Sequence, residues 1–181
     1  MPITINGSGT VTGISVGGLP DGIVDTDMLA DGAATQAKRT YAAGEIVQTV
    51  QFTKTTSQAI TSNQTWTSVL TDTAITPKYS NSLIIITVWI RYEEGAAGAS
   101  HFRGRIYDVT NSSVVAGGGE YLNYINGVSF NIGVFTMLGT VSASNTNARS
   151  YNVQVYEESG GNLNCGPNSY TSGMIIQELK Q

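Results

Sequence analysis

From Gly44 to the end of the chain, apolar and polar residues alternate with a period of two, in runs broken by Gly, Asn and Ser. That period places successive side chains on opposite sides of an extended backbone. It predicts strands near 46–53, 66–76, 82–92, 99–109, 128–141, 150–158 and 172–180, with weaker runs at 113–116 and 120–125. Many short strands separated by turn residues read as an all-β fold, an antiparallel β-sandwich of jelly-roll-like form. No strand is followed by a helix-length amphipathic stretch, which disfavours an alternating β–α architecture.

The pattern before Gly44 is different. Residues 1–24 alternate as well, with Ile3, Ile5, Val11, Ile14, Val16 and then Leu19 as apolar points, but five glycines between 7 and 18 interrupt them. Glycine weakens a strand and a short isolated strand pair is marginal in water, so this stretch is expected to be an extended arm that needs a partner to lie on. Residues 25–39 read either as a linker with helical tendency, given Gly32, or as one short helix, with acids at its start and Lys38 and Arg39 at its end to suit the helix dipole. Its apolar side, including Met28 and Leu29, can meet the same residues of two further copies. The expected division is an arm and helix at 1–43 and a sandwich head at 44–181.

Two head strands are apolar on both sides. With Arg91 set opposite His101 across the turn at 93–99, one face of the hairpin joins Ile86, Val88 and Ile90 to Phe102 and Ile106. The other joins Ile85, Trp89 and Arg91 to His101, Arg103, Arg105 and Tyr107. In that register Trp89 faces Arg103 as a cation–π pair. In the 128–141 strand, Val128, Phe130, Ile132, Val134 and Leu138 are expected on the core side, with Phe135, Met137 and Val141 facing outward. A lone sandwich would leave each outer face polar. Ile85, Trp89, Arg103, Phe135 and Met137, with Met28 and Leu29, are therefore candidate subunit-interface residues of an oligomer, expected to be a trimer.

The remaining composition excludes several chemistries. Charged residues make up 12 % of the chain, against about 25 % in an average domain. A net charge of -4 does not suit a binder of nucleic acid. No apolar run is long enough to span a membrane, and no basic segment with an apolar stretch behind it marks a secretory signal at the start. One Cys and one His, Cys165 and His101, make neither a disulfide nor a zinc site, and a catalytic pair of the two is not expected. The adjacent acids Glu93–Glu94 and Glu157–Glu158 sit at strand ends and read as solvated charge. Asp21, Asp25, Asp27 and Asp31 lack the spacing of a calcium loop, and Gly117–Gly119 lack the Lys of a phosphate loop. No metal, cofactor or catalytic residue is expected. Two long loops, 117–127 and 160–171, are rich in Tyr, Asn, Ser and Gly, the composition of adaptable recognition surfaces. Tyr121, Asn123, Tyr124, Asn126, Asn168 and Tyr170 are the candidate contact residues.

The arm ITINGSGTVTGISVGGLPDGIVDTDMLA, residues 3–30, resembles the N-terminal region of tail-fibre-like and other virion appendage proteins of marine, cyanophage-like bacteriophages. Residues 44–93 resemble a phage fibre head module, in which a T-P-x-x-S-N-S turn, here Thr76–Ser82, precedes an apolar strand. The resemblance covers about half the chain. It implies a non-enzymatic virion protein located on the tail or capsid surface, with an arm docked on other virion proteins through Ile3, Ile5, Val11, Ile14, Val16 and Leu19. Its homotrimeric head would then meet a host-surface polysaccharide or protein. A short tail fibre or knob is the first expectation. A capsid-decorating protein is the alternative, because the long repetitive shaft of typical fibres is absent from this sequence.

Overall fold

The structure, a computed structural model, describes residues 4–5, 11–12, 39–61, 64–94, 100–125, 131–158, 163–166 and 170–181. The chain divides between Thr40 and Tyr41 into two units. In the first, β1 (Thr4–Ile5) pairs antiparallel with β2 (Val11–Thr12), Ile5 opposite Val11. The arm thus forms a minimal strand pair of its own, where only an extended chain was expected. Ile3, Ile14, Val16 and Leu19 lie outside the described residues. So do Met28, Leu29 and, apart from Arg39, the stretch expected to be helical.

The second unit is all-β, as its alternation requires, and no helix occurs among the described residues. Its strands are β3 (Ile46–Lys54), β4 (Gln58–Ile60), β5 (Thr67–Ile75), β6 (Leu83–Glu94), β7 (Ser100–Asp108), β8 (Ser113–Ile125), β9 (Asn131–Ser142), β10 (Arg149–Glu157), β11 (Leu163–Cys165) and β12 (Ser172–Leu179). The pairing is nested: β7 with β8, β6 with β9, β5 with β10, β4 with β11 and β3 with β12, all antiparallel. This is one long hairpin rolled up on itself. Further pairs β10–β7, β12–β6 and β11–β6 close it into two sheets. One sheet runs β5–β10–β7–β8. The other runs β3–β12–β6–β9, with β4 and β11 extending its first two rows. Two four-row sheets with this connectivity form a jelly roll.

The core lies between the sheets. Ile84, Ile86, Val88 and Ile90 of β6 are fully buried, as are Met174 and Ile176 of β12. They face Phe102 and Ile106 of β7 and Tyr151, Val153 and Val155 of β10. Burying each such side chain stabilises the fold by about 1.5–3 kcal/mol. The rings of Tyr92, Phe102 and Phe135 join the sheets, with centroids 4.8 Å apart for Tyr92–Phe102 and 5.8 Å for Phe102–Phe135.

Two expectations need correction. The strands on either side of the 93–99 turn are not a hairpin: β6 lies in one sheet and β7 in the other. Their inward faces are the expected ones, because alternation decides which residues point inward. It does not decide which strand is the neighbour. The faces of β9 are the reverse of those expected. Phe135 is buried and Met137 and Val141 pack against the core, while Ile132, Val134 and Leu138 are exposed at 43, 57 and 65 %. A strand apolar on both sides gives alternation nothing to choose between. Gly133 and Gly139 settle it, since a side chain there would collide with Tyr92 and with Val115 and Ile106.

Buried charges hold the turns. Glu178 is fully buried, and its carboxylate accepts bonds from the Lys78 and Tyr79 amides (2.9 and 3.0 Å), Ser82 Oγ (2.7 Å) and Gln48 Nε2 (2.6 Å). These groups belong to, or lie beside, the Thr76–Ser82 turn. Burial pushes this carboxyl up, but the bonds from Ser82, Lys78, Tyr79 and Gln48 outweigh it and hold the group below its ordinary value. Arg149 donates to the carbonyls of Ser142 (3.0 Å) and Ala143 between β9 and β10. Asp108 accepts from the Asn111 amide (2.9 Å) between β7 and β8.

Candidate functional site

Each sheet presents an outer face, and the two are chemically unlike. On the β5–β10–β7–β8 sheet, alternation points Arg103, Arg105 and Tyr107 of β7 outward beside Gln154, Tyr156 and Glu158. The Arg105 guanidinium lies between the rings of Trp66 (4.1 Å) and Tyr107 (4.6 Å), and its Nε donates to Gln154 Oε1 at 2.8 Å. Burial draws its pKa below the ordinary value, against the pull of Tyr107, yet a guanidinium stays charged in a protein. Arg103 bonds Glu158 at 2.5 Å and Tyr121 at 3.3 Å, and Tyr121 also donates to Glu158. Hydrogen bonding to Tyr121 and the charge of Glu158 raise the pKa of Arg103. Tyr156 lies beside Trp66, ring centroids 5.2 Å apart. The result is a patch of four aromatic rings and two guanidiniums, the residue types enriched where proteins bind one another.

The outer face of the other sheet carries almost no charge. Its rows read Thr53, Gly173, Trp89, Thr136; then Gln51, Ile175, Thr87, Leu138; then Thr49, Gln177, Ile85, Thr140. Trp89 lies over Gly173, where a Cβ would strike the ring, and its Nε1 donates to the Thr171 carbonyl at 3.1 Å. Charge enters only at one end, where Arg91 stacks 3.7 Å over Tyr170 opposite Val134 and Glu93 lies opposite Ile132.

The candidate residues divide between these faces. Ile85 and Trp89 lie on the uncharged one and Arg103 on the other, so the expected Trp89–Arg103 pair does not form. Arg103 stacks on Tyr121 instead, 4.8 Å from its centroid. Phe135 and Met137 belong to the core side and not to the outer face on which a second subunit was expected to pack. Ile132, Val134 and Leu138, expected inside, hold the exposed positions. Tyr121 and Tyr170 are both exposed but lie on opposite sheets. The backbones of Asn123 and Tyr124 pair with Phe102 and His101 in β8, and Asn126 and Asn168 lie outside the described residues. Of the two stretches expected to be loops, 117–127 runs as strand β8 to Ile125 and 160–171 contains β11, and their tyrosines Tyr121 and Tyr170 lie on different faces. Tyr107 was expected on the outward face beside Arg103 and Arg105, whereas Trp66 and Tyr156 went unmarked in the sequence because their rings converge only across strands.

Within the sandwich, Cys165 faces inward, and burial pushes its thiol up to about 12. His101 packs edge-to-face on Tyr121 of the outer patch, so the chain's Cys and His are not brought together. Glu94 and Glu157 are buried rather than solvated, because alternation turns one acid of each adjacent pair inward. Lys54 reaches Gln58 Oε1 (2.5 Å) and the Val69 carbonyl (3.0 Å), and burial lowers its pKa. Among the described residues no group of three or more His, Cys, Asp or Glu lies together as metal ligands. The four aspartates of residues 21–31 lie outside the described residues.

No family model and no curated protein matches this sequence. Among solved structures the chain is similar to a chain in "Structure of infectious bursal disease virus Gx strain", with a TM-score of 0.39 and 11 % identity. The match covers 74 % of this chain and 32 % of that one, so this protein spans about a third of the length of that viral chain. A likeness this weak identifies no family.

Proposed function

We propose that this chain is a non-enzymatic structural protein of a virus particle, a short tail fibre or knob. Its first 43 residues dock on other virion proteins, and its β head, a homotrimer, meets the host surface. The observation that carries the reading is the outer face of the β3–β12–β6–β9 sheet. Exposed Leu138 lies within an uncharged field of Thr, Gln, Ile and Trp side chains, and exposed Val134 and Ile132 extend its apolar surface beside Arg91 and Glu93, a face suited to burial against protein. The resemblance of residues 3–93 to phage appendage proteins supports the same reading. The opposite face, with Arg103, Arg105, Trp66, Tyr107, Tyr121 and Tyr156, carries the recognition of a host polysaccharide or protein.

The test is immunogold or cryo-electron microscopy of particles of the encoding virus, with antibody against the head. Label confined to the tail is expected. Label on a capsid lattice position with none at the tail replaces the fibre reading with capsid decoration. Light scattering of the full chain is expected to give three times the chain mass, and a monomer would sink the trimer.

A further inference from the structure

Of the five edge strands of the head, β4 is only three residues long, and the four long ones are defended unequally against pairing with other chains. An unpaired strand edge is a template for further pairing, and proteins blunt it with charge, proline or bulges. Along β8 the register shifts three times, and Gly117 and Gly118 have φ of 77° and 92°. The β5 edge carries Asp72 and two register shifts against β10. The β3 edge carries Lys54 and one shift. The β9 strand has none of these. Its twelve residues NIGVFTMLGTVS contain no charge and no proline, and they pair with β6 from Leu83–Ser142 to Glu94–Asn131 without a break. Among the described residues no strand pairs its other edge.

The β9 sequence is also nearly symmetric about Thr136. Stepping outward in both directions, Phe135 matches Met137, Val134 matches Leu138 and Gly133 matches Gly139. An antiparallel pair of β9 strands centred on Thr136 would place Val134 of each copy opposite Leu138 of the other, on the exposed side. Phe135 would face Met137 on the core side. The two glycines would fall opposite each other, where each copy already needs them for its own core. No like charges meet anywhere, so the edge is complementary to itself.

We propose that the β9 edge is a two-fold contact through which two heads join their β3–β12–β6–β9 sheets into one continuous sheet. The inference goes beyond the trimer, because a strand paired with its own copy is an isologous contact, whereas a three-fold axis joins its copies through a heterologous one. Its size predicts modest strength. Twelve residues extend roughly 40 Å, and a ~10 Å band on each copy buries on the order of 800 Å², below the ~1,200 Å² of a stable interface. Doubling should therefore depend on concentration.

Sedimentation of the full chain over a concentration series tests this. The expected result is a mass that doubles as concentration rises, from monomer to dimer or from trimer to hexamer. The doubling should be lost in Thr136→Lys/Leu138→Lys with an unchanged melting temperature, since both side chains are solvent-exposed in the single chain and neither lies opposite a charge. In a Cys165→Ala background, Thr136→Cys should form a disulfide-linked dimer at least tenfold faster than Thr53→Cys on the β3 edge. A trimer that never doubles overturns this inference and leaves the trimer standing. A monomer–dimer equilibrium supports it and overturns the trimer. Doubling that survives both lysines, or equal cross-linking at Thr136 and Thr53, overturns the β9 contact.

Discussion

At the scale of single residues, the buried acid Glu178 governs the turn that leads into β6. It was legible in part: in SGMIIQEL, Met174, Ile176 and Glu178 share the inward parity, and an acid at an inward position needs donors. Which donors was not legible, because Lys78, Tyr79 and Ser82 lie about a hundred residues away. Glu178→Gln removes the charge and leaves part of the donor set unpaired, so it should cost about 2–3 kcal/mol in urea unfolding. The pH dependence follows from the depressed pKa. The stabilisation is fully present above the unfolded value of about 4.3 and is lost as pH falls from there through the lower folded value. Melting temperature should thus drop on acidification in the wild type and drop less steeply in Glu178→Gln; parallel profiles would contradict the assignment. Cys165 gives a second residue-scale test. With its thiol raised to about 12 by burial, it is protonated and inaccessible at pH 8. Iodoacetamide should label it only at the rate of unfolding, and fast labelling of the native protein would count against its place in the core.

At the scale of elements, what could be read was the face each strand turns inward, and what could not was the strand beside it. Hydrogen-bonding groups are the same at every residue, so β6 carries no mark that its partners are β9 and β12 rather than β7. The short strands β4 and β11 escaped notice because three residues hold too little alternation to register. The candidate interface suffered from the same limit: β9 is apolar on both sides, and only Gly133 and Gly139, meeting side chains of other strands, decide its orientation. The β8 glycines show how position separates one glycine from the next. Gly117 has φ of 77°, and a side chain there would strike the Gly104 carbonyl, whereas Gly119 has open space around it. Gly117→Val should destabilise the head by about 2 kcal/mol or more, through left-handed backbone strain and steric overlap. Gly119→Ala should stay within about 0.5 kcal/mol. Equal effects in urea titrations of the two variants would remove the bulge from its structural role.

At the scale of the whole head, the nested pairing makes an order of folding. The innermost pair, β7–β8, closes over the few residues between Asp108 and Ser113, where Asp108 already holds the turn. The outermost pair, β3–β12, closes a loop of about 120 residues if it forms first, which adds roughly 3 kcal/mol of loop entropy over the innermost pair. If β7–β8 forms early, β6–β9 and then β5–β10 each close a short remaining loop, and the long closure is never met in one step. Folding should therefore run from the inner pair outward, and slowly, as expected for a fold dominated by non-local strand pairing. Buried residues report on each layer. Ile106→Val in β7 and Ile176→Val in β12 should each cost about 0.5–1.5 kcal/mol at equilibrium. In stopped-flow chevrons, Ile106→Val should slow folding, with a φ-value above about 0.5, while Ile176→Val should act mainly by speeding unfolding. The reverse order would mean that the hydrophobic rows of β6 and β12 collapse before the inner hairpin forms. The fold's nesting would then describe its final topology and not its route.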